Sequence, residues 1–303
     1  MLDLGRLRAL HAVATYGSVG AAATALGYTP SAVSQQLAKL ERETRTTLVE
    51  KRGRGIVLTD AAQDLAAAAA EVLGLVEQAE LFLEERRGEV AGELTLAAFP
   101  TAARGLLPPV LAHLHETHPA LTLSLRELDP PETVTGVARG ELTVGVVHDW
   151  HNTPLATPDE LARVRLGTDP ADIILPAAHP LADRELLQPA DLAGERWICQ
   201  PEGSICHDWL VRTMRKAGTD PVVAYSVAEY HTQLAMLAHG IGIALIPRLG
   251  RGPLPAGVVA VPLRPAPTRR IYAIWRTIAM RRPAVAVTVA ALRAGWRDRT
   301  TAP

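Results

Sequence analysis

The residues with the most legible chemistry lie on a short segment between Thr29-Pro30 and Glu43. Thr29 suits a helix N-cap, and Pro30 suits the first helical position, where its missing N–H costs nothing. With Val33, Leu37 and Leu40 turned inward at helical spacing, Ser31, Ser34, Gln35, Ala38, Lys39 and Arg42 are left outside. Such a face matches a DNA major groove. Glutamine pairs bidentately with adenine, serine reads either base, and Lys or Arg grips phosphate. Thr29, Pro30, Ser31, Ser34, Gln35 and Lys39 are the contacts expected from it. Farther on, Lys51-Arg52-Gly53-Arg54-Gly55 reads as a basic hairpin tip between Leu48-Val49 and Ile56-Val57-Leu58, with Arg52 and Arg54 placed for phosphate. A plain helical hairpin would share the periodicity; the basic tip favours a winged DNA reader.

A second group stands where apolar runs end: Phe99-Pro100-Thr101, His148-Asp149-Trp150-His151, Gln200-Pro201-Glu202-Gly203-Ser204 and Ala228-Glu229-Tyr230. Thr101, close to the start of a helix, offers a hydroxyl to an anion with helix N–H groups behind it. His148, Glu202 and Glu229 add titratable groups, so an anionic ligand is not assumed. Ordinary loop polarity would supply the same residue types. His148, His151, Cys206, His207, Asp208 and His231 match no standard zinc spacing, and neither metal nor cofactor is expected. Cys206 falls early in a helix opening near Ser204, where the dipole would lower its pKa; Cys199 reads as a small buried hydrophobe. No nucleophile elbow, phosphate loop or zinc helix appears, and Gly240-Ile241-Gly242 lacks the third glycine of a dinucleotide fingerprint. An enzyme is not expected.

The elements that must position these residues follow from pattern. At 303 residues, two or more domains are expected, with cores of Leu, Val, Ile and Ala because aromatics are only 4%. Residues 1–60 carry eight basic and five acidic side chains, a net +3 that leaves −4 for the rest and suits a nucleic-acid partner. Asp3 can cap a helix bearing Leu4, Leu7, Leu10 and Val13; Ser18 caps another, Val19 to Leu26, stopped by Gly27. Two helices across a glycine turn make a helix-turn-helix unit. Thr59-Asp60 opens a long helix to about Arg87, with Leu65, Ala69, Val72, Val76, Ala79 and Leu83 in steps of four and three. That heptad seam predicts pairing with a second copy; a single amphipathic helix on the body is the alternative. From Gly92, strands near Leu94–Phe99, Leu121–Leu125, Thr143–Val147, Ile173–Leu175, Trp197–Cys199, Val222–Ala224 and Ile243–Ile246 alternate with helices. This predicts α/β architecture with largely parallel sheets, which bind ligands at the carboxyl ends of their strands.

Gly17-Ser18-Val19-Gly20-Ala21-Ala22, Leu26 to Leu37 and Leu40-Glu41 resemble the head of LysR-type transcriptional regulators, and Arg54 to Thr59 resembles the family's wing. Leu234 to Pro247 looks like its second sensing subdomain. The resemblance implies a winged helix-turn-helix at 1–59, a linker and dimerisation helix at 60–88, and an effector-binding domain at 89–303 resembling periplasmic binding proteins. Its subdomains would be about 92–163 plus 266–303, and about 164–265, joined near Arg163–Leu166 and Leu263–Thr268. Pro100, Thr101, His148, Glu202, Ser204 and Glu229 would then line the effector cleft. It further implies a homodimer, and in many members a homotetramer, on an interrupted palindrome of double-stranded DNA, with RNA polymerase as a further partner. A transport-type binding protein would explain the body but not the basic head. With neither signal peptide nor transmembrane span read, a cytoplasmic location is expected. Pro30 stands where the family commonly has Gln, Thr44-Arg45 where Leu-Gly is common, Val49 for Phe, Lys51 for Arg and Ala62 for Gly, which leaves the operator sequence open.

Overall fold

The computed structural model describes residues 2–52 and 55–301, and the chain divides into two units, Met1–Gly88 and Glu89–Pro303. In the first unit local capping defines the helices. Asp3 accepts from the Arg6 N–H and opens α1 (Leu4–Tyr16). Ser18 accepts from Ala21 N–H at the head of α2 (Val19–Leu26), and Thr29 from Ala32 N–H at the head of α3 (Pro30–Thr44). Leu7, Leu10, Val13, Ala22, Val33, Leu37 and Leu40 close one core among them. The wing, β1 (Val49–Arg52) antiparallel to β2 (Gly55–Leu58), is tied to α3 by the Glu41 carboxylate, which accepts from the N–H groups of Leu48 and Val49 at 2.8 and 3.1 Å. Thr59 caps α4 (Asp60–Arg87).

The first turns of α4 belong to this core. Ala62, Ala66 and Ala69 are buried in it, with Leu65 half-buried beside them. The expected seam positions Leu65 and Ala69 are therefore covered within the chain itself. Exposed apolar side chains on α4 begin at Val72 and run through Leu75, Phe82 and Leu83; the expected Val72 and Leu83 are free, Val76 is half-buried, and Leu75 and Phe82 join the stripe.

In the second unit β3 (Gly92–Ala98) lies parallel to both β4 (Leu121–Glu127) and β5 (Val144–Trp150). Helices α5 (Pro100–Gly105), α6 (Leu107–Thr117) and α7 (Pro130–Ala138) connect them. The sixteen-residue β6 (Leu161–Pro176) pairs first with β11 (Thr268–Arg276), then with β9 (Ala244–Pro247) and β10 (Val258–Val261), always antiparallel; β11 also pairs antiparallel with β5. A parallel pair, β7 (Arg196–Cys199) and β8 (Val222–Ser226), carries α8 (Ile205–Lys216) and α9 (Tyr230–Ala238), and α10 (Pro283–Thr301) follows β11.

Two sequence expectations change here. The sheets are mixed rather than largely parallel, because β6 and β11 return the chain between the two halves of the unit. Arg163, Arg165, Asp169, Arg269 and Arg270 gave these strands a polar look. The partner change in β6 falls at Pro170/Ala171, past the expected Arg163–Leu166. At Gly167 the Trp296 indole occupies the space a side chain would need.

Candidate functional site

On α3 the outward set is as the helical spacing requires: Pro30, Ser31, Ser34, Gln35, Ala38 and Lys39 are exposed while Val33, Leu37 and Leu40 are buried. Thr29 is engaged locally. Its hydroxyl accepts from Ala32 N–H and lies 3.0 Å from Ser31 Oγ, so these two fix the helix start. Arg42 turns back on its own helix, Nε donating to the Ala38 carbonyl. Arg52 ends β1; Arg54 lies outside the described residues. The Arg6–Glu43 ion pair, 2.7 Å, braces α1 against the far end of α3. Arg45 closes α3 at φ 51, the left-handed region where glycine is favoured.

In the second unit Thr101, on the first turn of α5, is 1% exposed, and its Oγ1 accepts from Arg269 Nη2 at 3.0 Å. The same guanidinium, buried on β11, donates to the Asp169 carboxylate through Nε at 3.1 Å and through Nη2. Asp169 also accepts from Leu249 N–H at 2.8 Å. Phe99 and Trp150 lie 5.0 and 5.9 Å from the guanidinium carbon, cation–π contacts that a desolvated arginine favours. His148 meets the Phe99 ring edge-on at 4.5 Å. It is buried, and burial and then the nearby Arg269 charge hold it well below the usual histidine range. Among the described residues its Nδ1 has no hydrogen-bond partner.

Glu229 caps α9, accepting from His231 and Thr232 N–H at 2.8 and 2.6 Å. Burial works against its charge, but these bonds prevail and lower its pKa. Arg104, one turn past Thr101, lies 3.8 Å from Glu229. Ser204 caps α8 through His207 N–H, Pro100 opens α5, and Glu202 is exposed. Thr101 and His148 are thus gathered around Arg269 and Phe99, and Glu229 joins α5 through Arg104, while Ser204 serves its own helix. Arg269 and Asp169 were missed. The continuous apolar run Ile271-Tyr272-Ala273-Ile274-Trp275 beside Arg269 was the available signal for β11.

Cys206 departs from expectation. Its place at the start of α8 does not lower its pKa: burial raises it, outweighing Arg269, the Tyr230 hydroxyl 3.6 Å from Sγ, and Trp150. Cys199 is pushed up to about 12 by burial and by Cys206. Both cysteines line a cavity of about 10 Å³ with Trp150, Gln200 and Tyr230, room for a water-sized molecule. Among the described residues no group of three metal-ligating side chains forms.

The pattern described as "Bacterial regulatory helix-turn-helix protein, lysR family" matches residues 4–63, and that described as "LysR substrate binding domain" matches residues 87–297. The chain belongs to the LysR family. It is a DNA-binding transcriptional regulator whose second unit is the family's effector-binding domain. A probable hydrogen peroxide-inducible genes activator of Streptomyces viridosporus is 31% identical over 98% of this chain and 95% of that protein. The DNA-binding transcriptional dual regulator OxyR of Escherichia coli is 27% identical over 91% and 90%. Among solved structures, a full-length OxyR variant from Pseudomonas aeruginosa shares the fold at TM-score 0.70, with 20% identity over 97% of this chain and 95% of that one. Full-length CbnR in complex with its target DNA superposes at TM-score 0.54, with 22% identity over 97% and 100%. Among the described residues no helix is long and apolar enough to cross a membrane.

Proposed function

We propose that this LysR-family regulator binds an interrupted palindrome as a cytoplasmic homodimer or homotetramer, without a reaction of its own. Ser34 and Gln35 read base edges, Lys39, Arg52 and Arg54 hold phosphate, and Thr29, Pro30 and Ser31 set the helix start against the groove. An effector entering between the two halves of the second unit, beside Pro100, Thr101, His148, Glu202, Ser204 and Glu229, alters the grip on DNA and the access of RNA polymerase. The carrying observation is the Thr101–Arg269–Asp169 chain, which joins α5 to β11 and β6, the strands that run between those halves. A ligand that prefers one arrangement of this chain shifts the equilibrium by its differential affinity. Gln35→Ala should weaken operator binding by about 1–3 kcal/mol and leave random DNA nearly unaffected in a gel-shift titration. Equal loss on both DNAs sinks the base-reading assignment.

A second reading is favoured by the surroundings of Cys206. The Tyr230 hydroxyl, Trp150 and Arg269 would all stabilise a negatively charged sulfur, and a water-sized cavity adjoins it. The 31% identical relative is named for peroxide-inducible genes. Burial of both thiols weighs against a thiolate at neutral pH, so oxidation ranks second. Intact-mass measurement after stoichiometric peroxide, on wild type and Cys206→Ser, decides it: an added oxygen confined to wild type supports oxidation, and an unmodified wild type ends it.

A further inference from the structure

Outside the buried centre, α5 and α9 are joined by one exposed arginine. Arg104 Nε donates to the Gly250 carbonyl, and Nη1 lies 2.8 Å from His231 Nδ1 and 3.8 Å from Glu229 Oε1. Beneath it the chains touch backbone to backbone. A Cβ on Gly105 would lie 2.5 Å from Gly250 N, and one on Gly250 would lie 2.5 Å from the Thr101 carbonyl. Arg104 therefore spans from the half built on β3, β4, β5 and β11 to α9 and the segment after β9, which belong to the other half.

His231 Nδ1 has two neighbours that ask opposite things of it. Arg104 Nη1 only donates, and Glu229 Oε1, 3.1 Å away, only accepts when ionised. A single ring nitrogen cannot satisfy both. With its proton on Nε2 the neutral ring accepts from Arg104; once protonated, the ring donates to Glu229 and carries a charge that repels the guanidinium. We propose that Arg104, His231 and Glu229 form a proton-sensitive strap, closed on α9 when His231 is neutral and released when it is charged. The charged groups facing the imidazole are Arg104 from α5 and Glu229 from the α9 cap. On the segment after β9, Arg248 and Arg251 are bound to Asp172 at 2.7 and 2.9 Å and leave Gly250 as that segment's contact with Arg104. Release weakens the tie between the halves while Glu229 keeps its cap bonds. Histidine is the side chain that ordinarily changes charge between pH 5 and 8, which sets the two pH values of the test.

The test uses the full-length protein without effector. Hydrogen–deuterium exchange is followed at pH 8 and pH 6, corrected for the intrinsic pH dependence of amide exchange, on peptides covering 249–252 and the first turn of α9. Wild type should lose protection several-fold at pH 6. His231→Gln, whose amide oxygen accepts from Arg104 at either pH, should show no such loss, and Arg104→Gln should be weakly protected at both. Because the wild-type comparison needs no variant to fold, pH-independent protection in wild type overturns the strap by itself. So does a His231→Gln protein, with wild-type circular dichroism, that follows the wild-type pH response. Neither outcome bears on DNA reading by α3 or on the effector.

Discussion

Arg269 donates to Thr101 across 168 positions of sequence, 3.0 Å from Nη2 to Oγ1, while the same guanidinium is neutralised by Asp169. The Thr101 hydroxyl is consequently already bonded, and the buried cation beside it already has its counter-ion. A purely anionic effector would have to compete with Asp169 for Arg269.

Breaking this centre one partner at a time should give unequal losses. Arg269→Met leaves the Asp169 carboxylate buried and unpaired, a cost of about 3–5 kcal/mol in urea unfolding. Thr101→Val leaves a single N–H without its acceptor, a cost of about 1–3 kcal/mol. The double variant Asp169→Leu with Arg269→Met should recover much of the larger loss. Equal destabilisation by Arg269→Met and Thr101→Val would show that the ion pair is not what holds the centre.

The apolar stripe of α4 predicts the oligomer. Leu75 and Phe82 are 63% and 50% exposed, and side chains of this size gain about 1.5–3 kcal/mol each on full burial. Leu75→Asp with Phe82→Asp should reduce the sedimenting mass and abolish tight operator binding, because like charges would face each other across the seam. A folded double variant of unchanged mass would place dimerisation elsewhere.

His148 predicts an acid limb of stability. Its folded pKa lies well below the ordinary 6.5 because burial and Arg269 disfavour the imidazolium. Below about pH 6.5 the unfolded chain takes up a proton that the folded one refuses. The stabilisation is therefore complete above that value and falls by up to about 1.4 kcal/mol per pH unit as pH drops toward the folded pKa. In chemical denaturation at pH 7 and pH 5.5, His148→Phe should lose less stability on acidification than wild type. Identical pH dependence would contradict the buried neutral imidazole.

Arg45 predicts a stabilising substitution. A non-glycine residue at φ 51 pays about 1–2 kcal/mol against its Cβ. Arg45→Gly should raise the unfolding midpoint of the DNA-binding unit by an amount corresponding to about 1 kcal/mol, after glycine's greater unfolded-state entropy is set against it. A lower midpoint would mean that the Arg45 side chain makes up for its strained backbone.

The sequence by itself determined the local structure of the head and much of its outward face. Asp3, Ser18, Thr29 and Thr59 each cap a helix through a bond to an N–H three residues away, and α3 turns Ser34, Gln35 and Lys39 outward because Val33, Leu37 and Leu40 must face inward. Interactions of such short reach are written in spacing and residue type. Tertiary structure decided whatever depends on partners far along the chain. Arg269 and Asp169, 100 residues apart, read as exposed charges until folding buries them as a pair, so β11 and the first part of β6 escaped notice. Cys206 occupies a helix start whose dipole would favour a thiolate, and only the surrounding burial reverses the sign. Ala69 looked free to pair with another molecule until α1 proved to cover it. In each case the deciding quantity is the solvent removed by residues distant in sequence, and a one-dimensional pattern does not carry it.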